Sequence, residues 1–346
     1  MAAKKTFPKW LGILIIIVLL GGSFIGIKAY QAFLGPSVTA NKTYFFVHSG
    51  DTYAEVLQRL RDEKIVENPE VFDYVAKTMK YPQRVNPGRY KLSPGMSNRA
   101  FIGNLRGGFQ EAVKLRFSNI RLKENLAAVL GQNFEADSTK FSALLNDSAL
   151  AEQYGFNLDN FLAMFIPNTY EIYWNTPAEK VIDRLYTEYK SFWTAKRLEQ
   201  AKAQNLTPIE VSTLASIVRG EALHTDEMPL IAELYLNRLK KGMLLQADPT
   251  VIFANNDFTI RRVLNKHLTI DNPYNTYRYK GLPPGPINMP PIAAIDAVLN
   301  PASHDFIYMC AKEDFSGYHA FAKTVEEHLI NARKFQKALD ERNIKK

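Results

Sequence analysis

The sequence predicts an α+β protein in three parts: an N-terminal transmembrane helix, a small βααβ module, and a larger mixed α/β domain. Three observations carry this. An apolar run, Leu11–Ile27, follows a group of lysines at the N-terminus. Residues 43–92 pass from strand-like to helix-like patterns and back. The second half joins strong helix-start signals to turn-rich segments and two short apolar strands. The predicted boundaries are residues 1–36 for a stub and anchor, 37–106 for the module and 107–346 for the large domain. The last divides into a helical middle region, 107–205, and a motif-bearing core, 206–346.

Lys4, Lys5 and Lys9 precede the apolar run, which contains only glycines and one serine besides its hydrophobic residues. With Trp10 and its flanks the run approaches the ~20 residues that cross a bilayer. A cleaved signal peptide is the alternative. Its apolar core would be only ~7–15 residues long, with a small-residue cleavage site after it, and no clear site follows Ile27. Lysines ahead of the span place the N-terminus in the cytoplasm and the chain after about residue 30 outside it. Chemistry dependent on ATP or NAD is thereby disfavoured.

Hydrophobic residues make up 46% of the 346, enough for real cores. Basic residues number 43 against 35 acidic, a net charge of +8, and they are scattered. A nucleic-acid partner would show a concentrated basic stripe interleaved with aromatics, so none is predicted. The same balance suits an anionic membrane surface or a polyanionic wall polymer. The one cysteine, Cys310, lies in the apolar run Phe306–Ala311 and reads as an inert thiol in a buried strand. The six histidines show no metal-ligand spacing, so no metal and no cofactor is predicted.

After a short polar tether, Ser37–Lys42, residues Thr43–Val47 read as a strand and Ser49–Thr52 as a turn. Val56, Leu57, Leu60 and Ile65 have helical spacing, Pro69–Lys80 forms a second helix, and Pro87–Leu92 returns as a strand. The middle region is mostly helical, over Asn98–Leu105, Lys123–Leu130, Thr139–Asn146 and Ala178–Leu198. Within it Phe161, Phe165, Tyr170, Tyr173 and Trp174 form an aromatic cluster. A core stripe and a sugar-stacking wall both explain such a cluster.

From Thr207 the signals sharpen. Thr207-Pro208-Ile209-Glu210 is a capping box with proline at the first helical position, opening a helix that should run to about Leu223. A second helix, Met228–Lys241, ends at Gly242. The stretch Leu244–Ile287 reads as loop, Pro290–Leu299 as helix, and Phe306–Ala311 with Gly317–Ala322 as a hairpin. A capping box at Thr324 opens a terminal helix to about Arg342. At about 100° per residue, Val211, Leu214, Ala215, Val218 and Ala222 share one apolar face of the first helix, with Glu221 at its rim. Partial desolvation there would raise the pKa of the carboxyl, as a general acid for a glycosidic oxygen requires. An exposed glutamate paired with Arg219 is the alternative.

Neutral hydrogen-bonding residues follow in order: Asn237-Arg238-Leu239, Leu245-Gln246-Ala247-Asp248-Pro249-Thr250, Tyr274-Asn275-Thr276-Tyr277 and Gly281–Ile287. A site for an uncharged, hydroxyl-rich ligand needs such directional groups. Asp248 is the one nearby candidate for a partner carboxylate, and its place before Pro249 suits a turn equally well. Together with Ala215-Ser216-Ile217-Val218-x-x-Glu221 and His319-x-Phe321 followed by Thr324-x-x-Glu327-His328, this ordered set resembles the endolytic murein transglycosylases, the MltG or YceG-like family. The βααβ module resembles a LysM-like domain.

The resemblance implies a lytic cut of the MurNAc–GlcNAc bond within nascent strands, leaving 1,6-anhydroMurNAc ends and terminating strand elongation. The family's catalytic glutamate falls on Glu221; where many members carry an acid two residues earlier, this chain has Arg219. Gln246, Asp248, Asn275, Tyr277 and Asn237 are the expected substrate-binding residues. Peptidoglycan glycan strands are the expected partner, with wall synthases implied only by resemblance, and the bacterial inner membrane is the expected location. A lysozyme-like hydrolase and a non-catalytic wall-binding scaffold are the rival functions. A hydrolase usually needs a second carboxylate.

Overall fold

The computed structural model describes residues 9–39, 41–118 and 120–342. Its first helix, α1 (Lys9–Leu34), has 26 residues, about 39 Å at 1.5 Å per residue. The large apolar side chains from Ile13 to Ile27 are exposed all round it. The helix is long and apolar enough to cross a membrane. Lys4 and Lys5 lie outside the described residues.

The chain divides into two compact units, one of residues 1–113 with 171–176, the other of 114–170 with 177–346. In the first unit β1 (Tyr44–Val47) is followed by α2 (Tyr53–Asp62), α3 (Pro69–Thr78), β2 (Gly88–Lys91) and α4 (Asn98–Gly107). Strands β1 and β2 pair antiparallel, Tyr44 against Lys91 and Val47 against Gly88, giving the expected βααβ order. Alternation buries Phe45, Val47 and Tyr90 beneath the helices, where Phe45 and Phe72 both pack against the ring of Phe101.

The expected tether after α1 is a correction. Ser37 and Val38 are buried, and both their backbone N–H groups donate to the Met96 carbonyl. The Ser37 hydroxyl donates to Asn98 Oδ1 at 2.6 Å, and Asn98 Nδ2 in turn caps the Ala32 carbonyl at the end of α1. Val38 is apolar enough to bury and Ser37 finds a buried partner, so the segment is held to the module.

Next come β3 (Val113–Arg116), α5 (Lys123–Asn133), α6 (Ser138–Leu145), α7 (Ser148–Gln153) and β4 (Thr169–Ile172). They are followed by α8 (Ala178–Phe192) and α9 (Ala195–Ala203). The single helix expected over Ala178–Leu198 is therefore two. It breaks at Trp193, after which Thr194 caps α9 by accepting from the Arg197 N–H. Phe161, Phe165, Tyr170 and Trp174 are buried, so the aromatic cluster is core rather than a sugar-stacking wall; only Tyr173 is exposed.

The remaining elements are α10 (Pro208–Glu221), α11 (Met228–Lys240), α12 (Asp248–Ala254), α13 (Asn265–Leu268) and α14 (Ile292–Leu299). An antiparallel hairpin, β5 (Tyr308–Ala311) with β6 (His319–Ala322), and α15 (Val325–Glu341) complete the chain. The core of this unit lies where α10, α11 and α14 pack on one another. Both expected capping boxes are present, at Thr207 with Glu210 and Thr324 with Glu327.

Three further expectations change here. Helix α10 is buried on every side from Val211 to Val218, rather than along one stripe. Two of its three buried hydroxyls find partners, Thr213 Oγ1 donating to the Ile209 carbonyl and Ser216 Oγ to that of Thr213, while that of Ser212 has none among the described residues. The stretch Leu244–Ile287 also contains helices. Asp248-Pro249 opens α12 instead of a turn, because proline suits the first helical turn, where its missing N–H is not needed. Cys310 is half-buried, not core.

Candidate active site

Helix α10 ends at Glu221, two residues earlier than its sequence suggests, because Ala222 turns extended at φ −76°, ψ 124°. Arg219 Nη1 caps that turn by donating to the Ala222 carbonyl at 3.0 Å, and so is engaged away from the carboxyl. Gly220 lets α12 approach: a Cβ there would lie 2.7 Å from Pro249 Cβ. The first residue of α12, Asp248, consequently reaches Glu221.

The Glu221 side chain lines a cavity of about 210 Å³ together with Tyr235, Arg238, Gln246, Asp248, Tyr277 and the facing edge of the β5–β6 hairpin. Tyr235 Oη donates to Glu221 Oε1 at 2.9 Å. Burial pushes the carboxyl from 4.5 up to about 7, and the negative charge of Asp248 adds to this. The Tyr235 hydrogen bond, Arg238 and the Asp248 N–H act the other way, and burial wins. A position at the C-terminal end of a helix also disfavours negative charge. The group is thus near half-protonated at neutrality, able to give a proton and take one back.

Of the residues expected to bind substrate, three share this cavity. Tyr277 Oη donates to Asp248 Oδ1 at 2.6 Å, which fixes both at the rim. Gln246 is exposed and holds a left-handed backbone, φ +52°. That conformation is uncommon for a residue with a side chain and is often found at binding sites. The backbone supports it: Gln246 N–H donates to the Thr276 carbonyl and Ala247 N–H to Thr276 Oγ1.

Asn275 and Asn237 do not face the cavity. Asn275 is fully buried, its Nδ2 donating to the carbonyls of Leu268 and Ile270 and its Oδ1 accepting the Tyr277 N–H. It folds the loop that presents Tyr277. Asn237 Nδ2 donates to the carbonyls of His304 and Phe306, fastening α11 to the chain before the hairpin. Both amides serve backbone that would otherwise be unsatisfied.

Sequence reading misses Arg238 and His319 as cavity residues, although both stand in quoted motifs. Arg238 is 8% exposed and hydrogen-bonded to carbonyls: Nε donates to Ile307 at 2.6 Å and Nη1 to Leu245 at 2.7 Å. The remaining motifs prove structural. Ser216 Oγ accepts the Ile287 N–H at 3.0 Å, and Asn288 Nδ2 donates to the Ser216 carbonyl. Gly285 packs against the Asp159 carbonyl, where a side chain would have no room. Cys310 lines the cavity, but burial raises its thiol pKa, so it is no ready nucleophile.

A carboxyl of raised pKa at a helix end, among amide and phenol groups, defines a general-acid site suited to an uncharged polar ligand. Residues 45–334 match the model of the YceG-like family, and the chain belongs to that family. It is 30% identical over 340 residues to an endolytic murein transglycosylase of Bacillus subtilis, covering 90% of this chain and 89% of the relative. An endolytic murein transglycosylase of Streptococcus pneumoniae is 25% identical over 348 residues, covering 90% of this chain and 62% of the relative. The crystal structure of a yceG-like protein from Listeria monocytogenes superposes with a TM-score of 0.55 at 26% identity, covering 84% of this chain and 99% of that one.

Proposed function

We propose that this chain is a peptidoglycan lytic transglycosylase that cuts within glycan strands, with Glu221 as its acid and base. The observation that carries the reading is the Glu221 carboxyl, held by Tyr235 in a polar cavity at a pKa of about 7. The relatives named above support the substrate class.

In the proposed reaction, protonated Glu221 gives its proton to the oxygen joining MurNAc to GlcNAc. The C1–O bond breaks through an oxocarbenium-like state, and GlcNAc leaves with a free 4-hydroxyl. The MurNAc 6-hydroxyl then bonds to C1 and passes its proton to the Glu221 carboxylate. One proton has moved from O6 to O4 and the enzyme is restored. Gln246, Tyr277 and Asp248 bear on sugar hydroxyls at the cavity rim. Arg238 steadies the carboxylate half of the cycle without lowering its pKa to that of a free acid.

One observation favours a second reading. Asp248 shares the cavity with Glu221, and a second carboxylate could activate water in a lysozyme-like hydrolysis. Mass analysis of digested strands separates the two: lytic products lack the elements of water at the MurNAc end, and hydrolytic products keep them. Reducing MurNAc ends as the main product would defeat the lytic reading.

Helix α1 serves as a single membrane anchor in this picture, with its N-terminus in the cytoplasm and both units outside. The bacterial inner membrane is the proposed location. The lysines before the span support that orientation. The βααβ module is proposed as a LysM-like unit. Protease added to cells stripped of their wall should degrade the chain beyond α1, and full protection would reverse the topology.

A further inference from the structure

His319, which lines the same cavity as Glu221, has no part in the reaction above. It opens β6, opposite Ala311 of β5, and both residues line the cavity. Behind it lies Glu227, at the N-terminal end of α11 and only 2% exposed. Glu227 Oε1 accepts the His319 backbone N–H at 2.6 Å, and Oε2 lies 2.9 Å from His319 Nδ1. A carboxylate only accepts, so Nδ1 carries the hydrogen, and in the neutral ring Nε2 is left with its lone pair. Among the described residues Nε2 has no protein partner.

Burying a carboxylate is costly unless it is paired. No lysine or arginine is ion-paired with Glu227 among the described residues; its carboxylate oxygens are met by the His319 backbone N–H and by Nδ1–H. A hairpin could be fastened to α11 by apolar packing alone. A buried acid that grips both the backbone and one ring nitrogen instead fixes the tautomer and the ring plane, as in other carboxylate–histidine pairs. What it fixes is a bare neutral acceptor, in a cavity whose other lining groups include Glu221, Asp248, Arg238 and Gln246.

We infer that His319 is a substrate-contacting residue: its Nε2 accepts a hydrogen bond from a hydroxyl of the sugar seated against Glu221. Glu227 is its positioning residue. This rests on the transglycosylase reading for the identity of the ligand. The ligand chemistry is a neutral pyranose hydroxyl, which can donate where a carboxylate or an acetyl oxygen cannot.

The test uses the full-length chain with 15N-labelled histidine and long, uncrosslinked glycan strands as the probe. In the neutral ring the His319 resonances should show a protonated Nδ1 and a bare Nε2, and added strands should move the Nε2 signal. Glu227→Gln offers one oxygen to two donors. Its NH₂ then faces Nδ1, the hydrogen moves to Nε2, and the acceptor becomes a donor. In a Glu221→Gln background, which binds without cutting, His319→Ala should bind strands about 10-fold more weakly, the scale of one lost hydrogen bond. With Glu221 intact it should cut with kcat/KM lowered about 100-fold. His319→Gln, whose amide oxygen reaches toward the Nε2 position, should recover part of both. A wild-type ring protonated at Nε2, or His319→Ala matching wild type in binding and cutting, overturns the inference. Wild-type protein that leaves strands uncut defeats the transglycosylase reading instead, and the strand-induced Nε2 shift still judges this contact.

Discussion

Tyr235 donates to Glu221 across 2.9 Å, tying the middle of α11 to the last residue of α10. The phenol is itself buried beside a carboxyl, which drives its own ionisation far upward, so it remains a donor at any working pH. Its hydrogen bond favours the charged form of Glu221, while burial favours the neutral one. The balance leaves the proton available near neutrality.

The first consequence is a pH profile. Glu221 must carry its proton to cut, and its pKa is about 7. Above that pH, kcat/KM should fall about tenfold per unit as the acid form of the free enzyme is lost. Initial rates on soluble strands between pH 5 and 9 provide the check. A profile flat through pH 8.5 would falsify the assignment of Glu221 as the acid.

Glu221→Gln should abolish cutting, because an amide has no acidic proton to give, while stabilising the fold at alkaline pH. The sign follows from the raised pKa. As pH rises from about 4.5 to about 7 the unfolded chain ionises first, so wild type loses stability across that window and not below it. A carboxyl whose pKa rises by one on folding loses about 1.4 kcal/mol once ionised, and the opening of the cavity to water discounts the whole effect to roughly 1–2 kcal/mol. Denaturant melts at pH 8 should therefore place the variant above wild type, with the gap closing near pH 4.5. A variant less stable than wild type at pH 8 would contradict this environment.

Tyr235→Phe removes a donor that favours the carboxylate, so the Glu221 pKa should rise further. The alkaline limb of the profile should move up by about half to one pH unit. Activity at neutral pH should drop modestly, about 10-fold, because the carboxyl loses its fixed orientation. A limb that moves downward would show that the phenol acts through some other contact.

Much of this is legible in the sequence. Thr207-Pro208-Ile209-Glu210 announces α10 because capping chemistry is local, and the same holds for Thr324 and α15. Glu221 stands out through its spacing from Leu214 and Val218, although the helix proves buried all round. Tertiary contacts such as that of Ser216 with Ile287 make that possible, and no period reveals them. The role of Asn275 is hidden for the same reason. An amide in a turn-rich motif looks the same whether it faces a ligand or the carbonyls of Leu268 and Ile270. Glu227 gives no signal at all, since its partner His319 lies 92 residues away.

Gln246 offers a separation of backbone from side chain. Its φ of +52° is strained for glutamine and free for glycine. Gln246→Gly should therefore fold at least as stably as wild type, within about 1 kcal/mol, because relief of strain offsets added chain entropy. If the exposed amide meets the glycan, kcat/KM should fall about 10-fold with the pH profile unchanged, the scale of one lost hydrogen bond. Wild-type rates in the glycine variant would reduce Gln246 to a backbone role.

The last prediction concerns where the cut falls. A cavity of about 210 Å³ is smaller than the roughly 300–1,000 Å³ that encloses a drug-sized ligand, so it cannot swallow a strand. Its lining comes from separate segments: Met309, Ala311 and His319 of the hairpin, Gln246, Asp248 and Tyr277 of the chain around α12, and Glu221 and Tyr235 of α10 and α11. A strand too long to be enclosed is expected to place one sugar at Glu221 and continue past it both ways. A terminal sugar has no advantage in that geometry, because recognition is of a hydroxyl-rich segment and not of an end. Early in a digestion of long, uncrosslinked strands, the mean length should therefore collapse while disaccharide stays scarce, each new end carrying anhydroMurNAc. Size separation of timed samples reads this directly. Disaccharide released first, from polymer that keeps nearly its full length, would mean that the enzyme works from chain ends and that one side of the cavity is closed.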